Sequence, residues 1–297
     1  MALTETTHAG GYILSEQSPT LCRESGTLIS GQDLAAGAVL GQINKIIAAA
    51  PIPTISGTGT GAMTALTFGP DVQIGNYVIT LLATSATAAF SVVAPDGTTL
   101  PNGAVGTAYT STHLSFLVSS AGTMTVGDSY TVVVTAGGTP ALVGTGTGLV
   151  SSFTLGPNAQ NGAYRVQLLA TSATAEFEVI APDGSKLRRG QVATAYTSSH
   201  VNFTLANGGT MTSGDYFIIV VANGSKYTAV APTAVDGSQV AAAILYDAVD
   251  ASGGDAACVV TARHTAVNAN ELTWPTIGTA AKATATAQLA SRGIVLR

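Results

Sequence analysis

Two glycine-rich stretches, "GTGTG" at Gly57–Gly61 and again at Gly144–Gly148, are the first places in this 297-residue chain where a ligand could sit. Glycine loops can turn backbone N–H groups toward a phosphate. The spacing here does not suit it. A dinucleotide fingerprint needs a third glycine three residues after the second, and those positions hold Ala62 and Leu149. No Gly-Lys-Ser/Thr follows, so there is no P-loop. Because the motif occurs twice, it reads as a linker entering each of two repeated modules.

The other chemistry-bearing residues also come in pairs. His113 and His200 are single histidines in separate modules, whereas a metal centre needs three or four converging ligands. They read as structural or surface residues. Asp96 and Asp183 stand in Pro-Asp-Gly turns, where aspartate bonds its own backbone, and Asp128 and Asp215 stand in Gly-Asp turns. No DxDxDG spacing supports a calcium loop. There is no Ser/His/Asp elbow, no HExxH and no paired catalytic carboxylate. The expectation is a non-enzyme with no cofactor and no metal. Cys22 and Cys258 lie far apart without CxxC spacing; a reduced cytoplasmic origin fits best, and a disulfide between them stays open.

The elements around these residues must form a protein with few charges. Charged residues are 9% of the chain against a usual figure of about 25%, while 46% are apolar and the net charge is −5. That combination argues against disorder and against nucleic acid as a partner. The one basic cluster, Lys186–Leu187–Arg188–Arg189, follows a turn and reads as a solvated loop. Met1–Gly11 has neither a basic start nor an apolar h-region, so no signal peptide is expected. The longest apolar run, Ile46–Pro53, is far shorter than the roughly 20 residues a membrane helix needs.

A repeat dominates the middle of the chain. One 87-residue step relates Ala94 to Ala181, Tyr109 to Tyr196, His113 to His200 and Asp128 to Asp215. It holds without a gap from Gly57–Gly137 to Gly144–Gly224, with slightly more than half the positions identical. Each copy reads as strands. Tyr77, Ile79 and Leu81, with Tyr164, Val166 and Leu168, form one parity. The other parity admits Arg165 and Gln167 and is therefore the outer face. By the same logic Phe90/Val92, Phe177/Val179, Leu114/Phe116/Val118 and Val201/Phe203/Leu205 point inward, and a last strand covers Tyr130–Val134 and Phe217–Val221. The predicted fold class is mainly β: two antiparallel, immunoglobulin-like sandwiches, residues 57–138 and 144–224, joined by Thr139–Val143. Outward Thr131 becomes Ile218 in the second copy, which predicts drift or contact with a neighbouring domain or subunit.

The flanks read as halves of one split domain, 32–56 plus 225–297, with a segment 1–31 ahead of it. "LAAGAVLGQINK" (Leu34–Lys45) and "SKYTAVAP" (Ser225–Pro232) are predicted to pair as a hairpin whose tip holds the insertion, since exposed tips tolerate insertion. Ala241–Tyr246 reads as a buried strand, Ser252–Asp255 as a turn and Ala256–Asn268 as a further strand. Thr279–Ser291 reads as a helix with Ala283, Ala287 and Ala290 on one face, stopped by Gly293, and "GIVLR" as a short closing strand.

The flanks resemble the lambda-type head decoration proteins of tailed bacteriophages. The matching residues are "LAAGAVLG", "VDGSQVAAAILYDAVDASGGD", "VVTARHTAVNANELTWP" and the terminal "GIVLR", and the resemblance covers about 110 residues, nearly all of the two flanks. The insertion departs from the lambda-type pattern, and tandem modules of this kind resemble those of longer family members. The resemblance implies a homotrimer at the local three-fold sites of a capsid. It also implies an N-terminal arm that docks on the major capsid protein, on the outer surface of a virion assembled in a bacterial cytoplasm. Within 1–31, Tyr12, Ile13, Leu14, Leu21, Leu28 and Ile29 supply the β-prone apolar residues with which such an arm could add a strand to a partner's sheet. Leu272, Trp274 and Pro275 are the candidate core or trimer contacts. The function expected is a structural cement that stabilises the shell. The alternative is a surface adhesion module whose sandwiches bind host glycans. A tail-fibre protein sharing the modules is disfavoured by the flanks.

Overall fold

The structure is a computed structural model and describes residues 8–50, 52–137, 140 and 142–297. It divides into two compact units, Met1–Asn44 with Ser225–Arg297, and Lys45–Gly224.

The first unit is built on a closed five-strand barrel. Arg23–Leu28 pairs with Ala256–Thr261 and, in parallel, with Lys226–Ala229. That strand pairs with Val39–Ile43, which pairs with Ala241–Leu245, which returns to Ala256–Thr261. Ile43 lies opposite Lys226, Gln42 opposite Tyr227 and Leu40 opposite Ala229, so the two flanks of the insertion form one antiparallel hairpin. All five residues of Ala241–Leu245 are buried. The reason is that both of its faces are covered, which makes the run continuously apolar rather than alternating. Ala243 and Leu245 face the barrel interior with Leu28, Leu40, Tyr227, Cys258 and Val260. Ala241 and Ile244 join an outer core with Tyr12, Val39, Val267, Leu289 and Ile294. Small residues let the chain close tightly: a Cβ on Gly41 would stand 2.1 Å from the Ser238 carbonyl oxygen.

The helix Thr279–Ser291 packs on this outer core, but through Ala285 and Leu289. The predicted Ala283/Ala287/Ala290 face is exposed instead. Alanine on every side gives the helix no periodic signal strong enough to fix its rotation, and its single leucine decides it. Ala256–Asn268 is two strands, Ala256–Thr261 and Thr265–Val267, because the chain turns at His264 with φ +49. Thr265–Val267 is the centre of a small sheet, antiparallel to Ile13–Glu16 and parallel to Ile294–Leu296.

The second unit holds the repeat. In the first copy Thr99–Ala104, Ala89–Val93, Gly75–Leu81 and Ser129–Ala136 form one sheet; Tyr109–Thr110, Leu114–Val118 and Met63–Phe68 form the facing sheet. The second copy repeats both, with Gly190–Gln191, Glu176–Ile180, Gly162–Leu168 and Tyr216–Ala222 facing Ala195–Tyr196, Val201–Ala206 and Leu149–Leu155. The inward residues predicted from parity are buried, Tyr77, Ile79, Phe90, Val118, Tyr164 and Phe203 among them. Four residues alter the expected boundary. Ile46–Ala49, read as host sequence, pairs with Ser129–Ala136 on one side and Tyr216–Ala222 on the other, so one 11-stranded sheet runs through both copies. Val220 and Ala222 belong to the first copy's core, and Ile218 packs against it. The greasier last strand is thus a contact between the copies.

Candidate functional site

The glycine stretches do surround an anion, and it is the protein's own. Asp128 accepts the N–H groups of Thr58 at 3.2 Å and Gly59 at 2.6 Å; Asp215 accepts those of Thr145 and Gly146 in the same way. Successive N–H groups make a concavity for negative charge, and here a buried carboxylate fills it. Gly57 (φ +133) and Gly144 (φ +145) are required there, since a Cβ on Gly57 would lie 1.9 Å from Asp128 Oδ1. The other paired residues also have internal partners. The Tyr77 hydroxyl accepts from the Gln73 N–H at 2.8 Å and meets His113 Nδ1 at 3.1 Å, and Gln73 Nε2 donates to Asp96 at 2.9 Å. Tyr164, His200, Gln160 and Asp183 repeat the arrangement. Hydrogen bonds from Gln73 and Thr98 hold the Asp96 carboxyl down at about 2, and Ser185 and Gln160 hold Asp183 there too. Burial pushes the Tyr77 hydroxyl up to about 12. Among the described residues no three His, Cys, Asp or Glu gather as a metal cluster, and no helix is long and apolar enough to cross a membrane. Cys22 and Cys258 are both free thiols and buried.

The candidate interaction residues lie in the first unit, and the segment expected to act as an arm packs within that unit along much of its length. From Gly10 onward the segment to Gly31 is built into the body; Met1–Thr7 lie outside the described residues. Tyr12 is 2% exposed, its hydroxyl 2.6 Å from Thr261 Oγ1, and burial raises its pKa. Ile13 sits opposite Val267 and packs on the outer core. Leu28 is fully buried in the barrel, and the Ile29 N–H donates to the Tyr227 carbonyl. The strand-forming residues were legible; their partner was not, because a strand that completes its own barrel and one that adds to a foreign sheet carry the same signature. Arg23 locks the segment further, pairing with Glu16 and lying 4.1 Å from the Tyr246 ring centroid.

What remains outward is narrow. Leu14 is 57% exposed, on the side of Ile13–Glu16 opposite to the core, and Val295 is 42% exposed on Ile294–Leu296. Ala266, the Cα partner of both Ser15 and Val295, lies between them. The row across this three-stranded sheet is Ser15, Ala266 and Val295, with exposed Leu14 at the register break beside Ser15, and the outer strand, Ile13–Glu16, pairs on one side only among the described residues. Leu21, 41% exposed, sits in the one-turn helix Pro19–Cys22. Leu272 is buried in the same outer core as Tyr12, and Trp274 packs against it. Lys282 lies over the Trp274 ring at 5.1 Å. The indole N–H of Trp274 is buried with no acceptor among the described residues. Pro275 lines a shallow hollow of about 400 Å³ with Val230, Pro232, Ile277 and Ala281. The sequence had no means of showing that Tyr12 and Ile13 meet Leu272 and Trp274 in one cluster, nor that Leu14 and Val295, almost the whole chain apart, stand on one three-stranded sheet.

The fold is mainly β: a closed barrel with a small three-stranded sheet in the first unit, and in the second a carboxylate plugging each glycine nest. The model of the family "Bacteriophage lambda head decoration protein D" matches residues 2–294, and the chain belongs to that family. It is a phage head decoration protein, with the capsid as its partner and the virion as its place. No curated protein matches. The crystal structure of Xanthomonas campestris FlgL is 20% identical over 30% of this chain and 31% of that one, with a TM-score of 0.22, too low to inform fold or function.

Proposed function

We propose that this protein seats itself as a homotrimer at the local three-fold sites on the outer surface of a phage head and stabilises the assembled shell. The observation that carries the reading is the pair of exposed apolar residues Leu14 and Val295 on a three-stranded sheet whose edge strand, Ile13–Glu16, has no second partner among the described residues. Such an edge is open to strand addition, with backbone hydrogen bonds giving affinity and the apolar side chains giving register. A partner that binds only the assembled shell stabilises it by mass action, and three linked copies raise avidity without a new contact. The hollow beside Pro275, with the exposed Ala283, Ala287 and Ala290 of the neighbouring helix, is the surface we assign to contact between copies. Small side chains there let two backbones approach closely.

The adhesion reading draws less support. Tyr77, Tyr109, Tyr130, Tyr164 and Tyr196 are buried, which leaves few aromatic faces for stacking on a sugar. The test is co-sedimentation of the full chain with phage heads. Leu14→Asp and Val295→Asp, both at exposed positions, are expected to leave folding intact and to reduce bound protein at least tenfold. Unchanged binding by both would remove this surface from the account.

A further inference from the structure

We propose that the two sandwiches form between them a binding site for a small amphipathic carboxylate, with Arg165 of the second copy receiving the acid group and an adjoining apolar hollow, lined by both copies, holding the body. The site lies wholly within Lys45–Gly224 and is independent of the capsid-docking reading.

The two copies differ where it counts. The 87-residue step carries Val78 to Arg165, Ser129 to Tyr216 and Thr131 to Ile218. Arg165 and Ile218 are cross-strand partners, and the Arg165 guanidinium lies 4.2 Å from the Tyr216 ring centroid. The ring holds the guanidinium plane by cation–π attraction and leaves its N–H groups free to donate. Arg165 Nε is buried without an acceptor among the described residues, and no carboxylate there pairs with the side chain. Contact between the copies accounts for Ile218 and Val220, which pack on the first core. It does not account for Arg165 or Tyr216. An apolar contact is served by valine and serine, as in the first copy, and an unmatched buried N–H is a desolvation cost that packing does not return.

The hollow supplies the rest. It has a volume of about 350 Å³ and is lined by apolar residues, among them Ile52, Leu66, Phe68, Leu142, Ile218 and Val220. A shallower extension of about 250 Å³ shares Leu66, Tyr216 and Ile218 with it and reaches Arg165. A mostly apolar cavity with one placed charge is the usual form of a small-molecule site, and 350 Å³ is at the lower end of the range of about 300–1,000 Å³. A guanidinium binds a carboxylate through two parallel N–H bonds. One cation matches one negative charge, whereas a doubly charged phosphate would bring uncompensated charge to an apolar wall. The ligand is therefore a monocarboxylic acid with a compact aromatic or short aliphatic body.

The experiment uses the full chain and isothermal calorimetry, with 4-phenylbutyrate and octanoate as probes and 4-phenylbutanamide as the uncharged control. Saturable binding of an acid, at least tenfold tighter than the amide, is expected. Arg165→Val, which installs the residue the first copy carries at the same strand position, is expected to lower acid affinity to that of the amide, and Tyr216→Ser to weaken it in the same direction. Equal binding of acid and amide, no saturable binding at millimolar concentration, or an Arg165→Val protein that binds acid as well as its parent would each overturn the proposal. The acid-to-amide comparison on the unaltered chain decides the matter even if a variant fails to fold.

Discussion

Removing the insertion is a quantitative test of how the two units are joined. Ile43 pairs with Lys226 on one side of the junction, and Ile46 pairs with Ala222 on the other. While the insertion is folded, its ends are held together and it closes the hairpin as a loop of about four residues would. Unfolded, it becomes a loop of about 180 residues. Closure entropy grows as (3/2)RT ln n, so the ratio corresponds to about 3 kcal/mol. Two variants bracket this figure. In the first, Asn44 is joined directly to position 225 with Ser225→Gly, giving an Asn-Gly two-residue hairpin loop. In the second, Phe90→Asp and Phe177→Asp place charges in the two sandwich cores and unfold the insertion in place. Trp274, the only tryptophan, lies in the first unit and reports that unit alone. In urea titrations followed by its fluorescence, the excised variant should match the parent within about 0.5 kcal/mol. The double-aspartate variant should lose about 3 kcal/mol from the same transition. An excised variant that does not fold, or an unfolded insertion that leaves the Trp274 transition unmoved, would refute the reasoning.

Further outcomes follow from the paired networks. Asp128→Ala leaves the N–H groups of Thr58 and Gly59 without their charged acceptor and should destabilise the second unit by about 3 kcal/mol, with Asp215→Ala alike, by chemical denaturation. Asp96 and Asp183 have folded pKa values near 2, below the ordinary 3.8, so the native state binds fewer protons than the unfolded chain. Their contribution is present above about pH 4 and is lost as pH falls toward 2. Asp96→Asn with Asp183→Asn should flatten the stability profile across that window. Tyr77, raised from 10 to about 12, favours the neutral form in the folded state, so stability should fall between pH 10 and 12, and Tyr77→Phe should reduce that fall.

Much of this fold was legible because a repeat gives two readings of every position. Arg165 and Gln167, set against Val78 and Thr80, marked the outer face without any structure, and the buried parity followed. The hairpin between Leu40 and Ala229 was legible from two apolar runs that flank the repeat, one ahead of Gly57 and one directly after Gly224. Partnership was less legible than secondary structure. Gly26 and Leu28 lie opposite Cys258 and Ala256, more than 200 residues away, and nothing local to Arg23–Leu28 announces a barrel. Ile46–Ala49 looked like host sequence because it continues the apolar run of Val39–Ile43, yet it hydrogen-bonds into the insertion. The glycine nests carry no local sign of their occupant, because the carboxylate that fills each lies about 70 residues downstream. The interaction surface was the least visible part, since Leu14 and Val295 come onto one sheet only after both ends of the chain pair with Thr265–Val267.

Cryo-electron microscopy of heads decorated with the full chain addresses the central claim directly. Three copies of the barrel unit are expected around each occupied local three-fold axis, with Leu14 and Val295 against capsid density. A map in which the sandwiches of Lys45–Gly224 make the capsid contact, while those two residues face solvent, would contradict the claim.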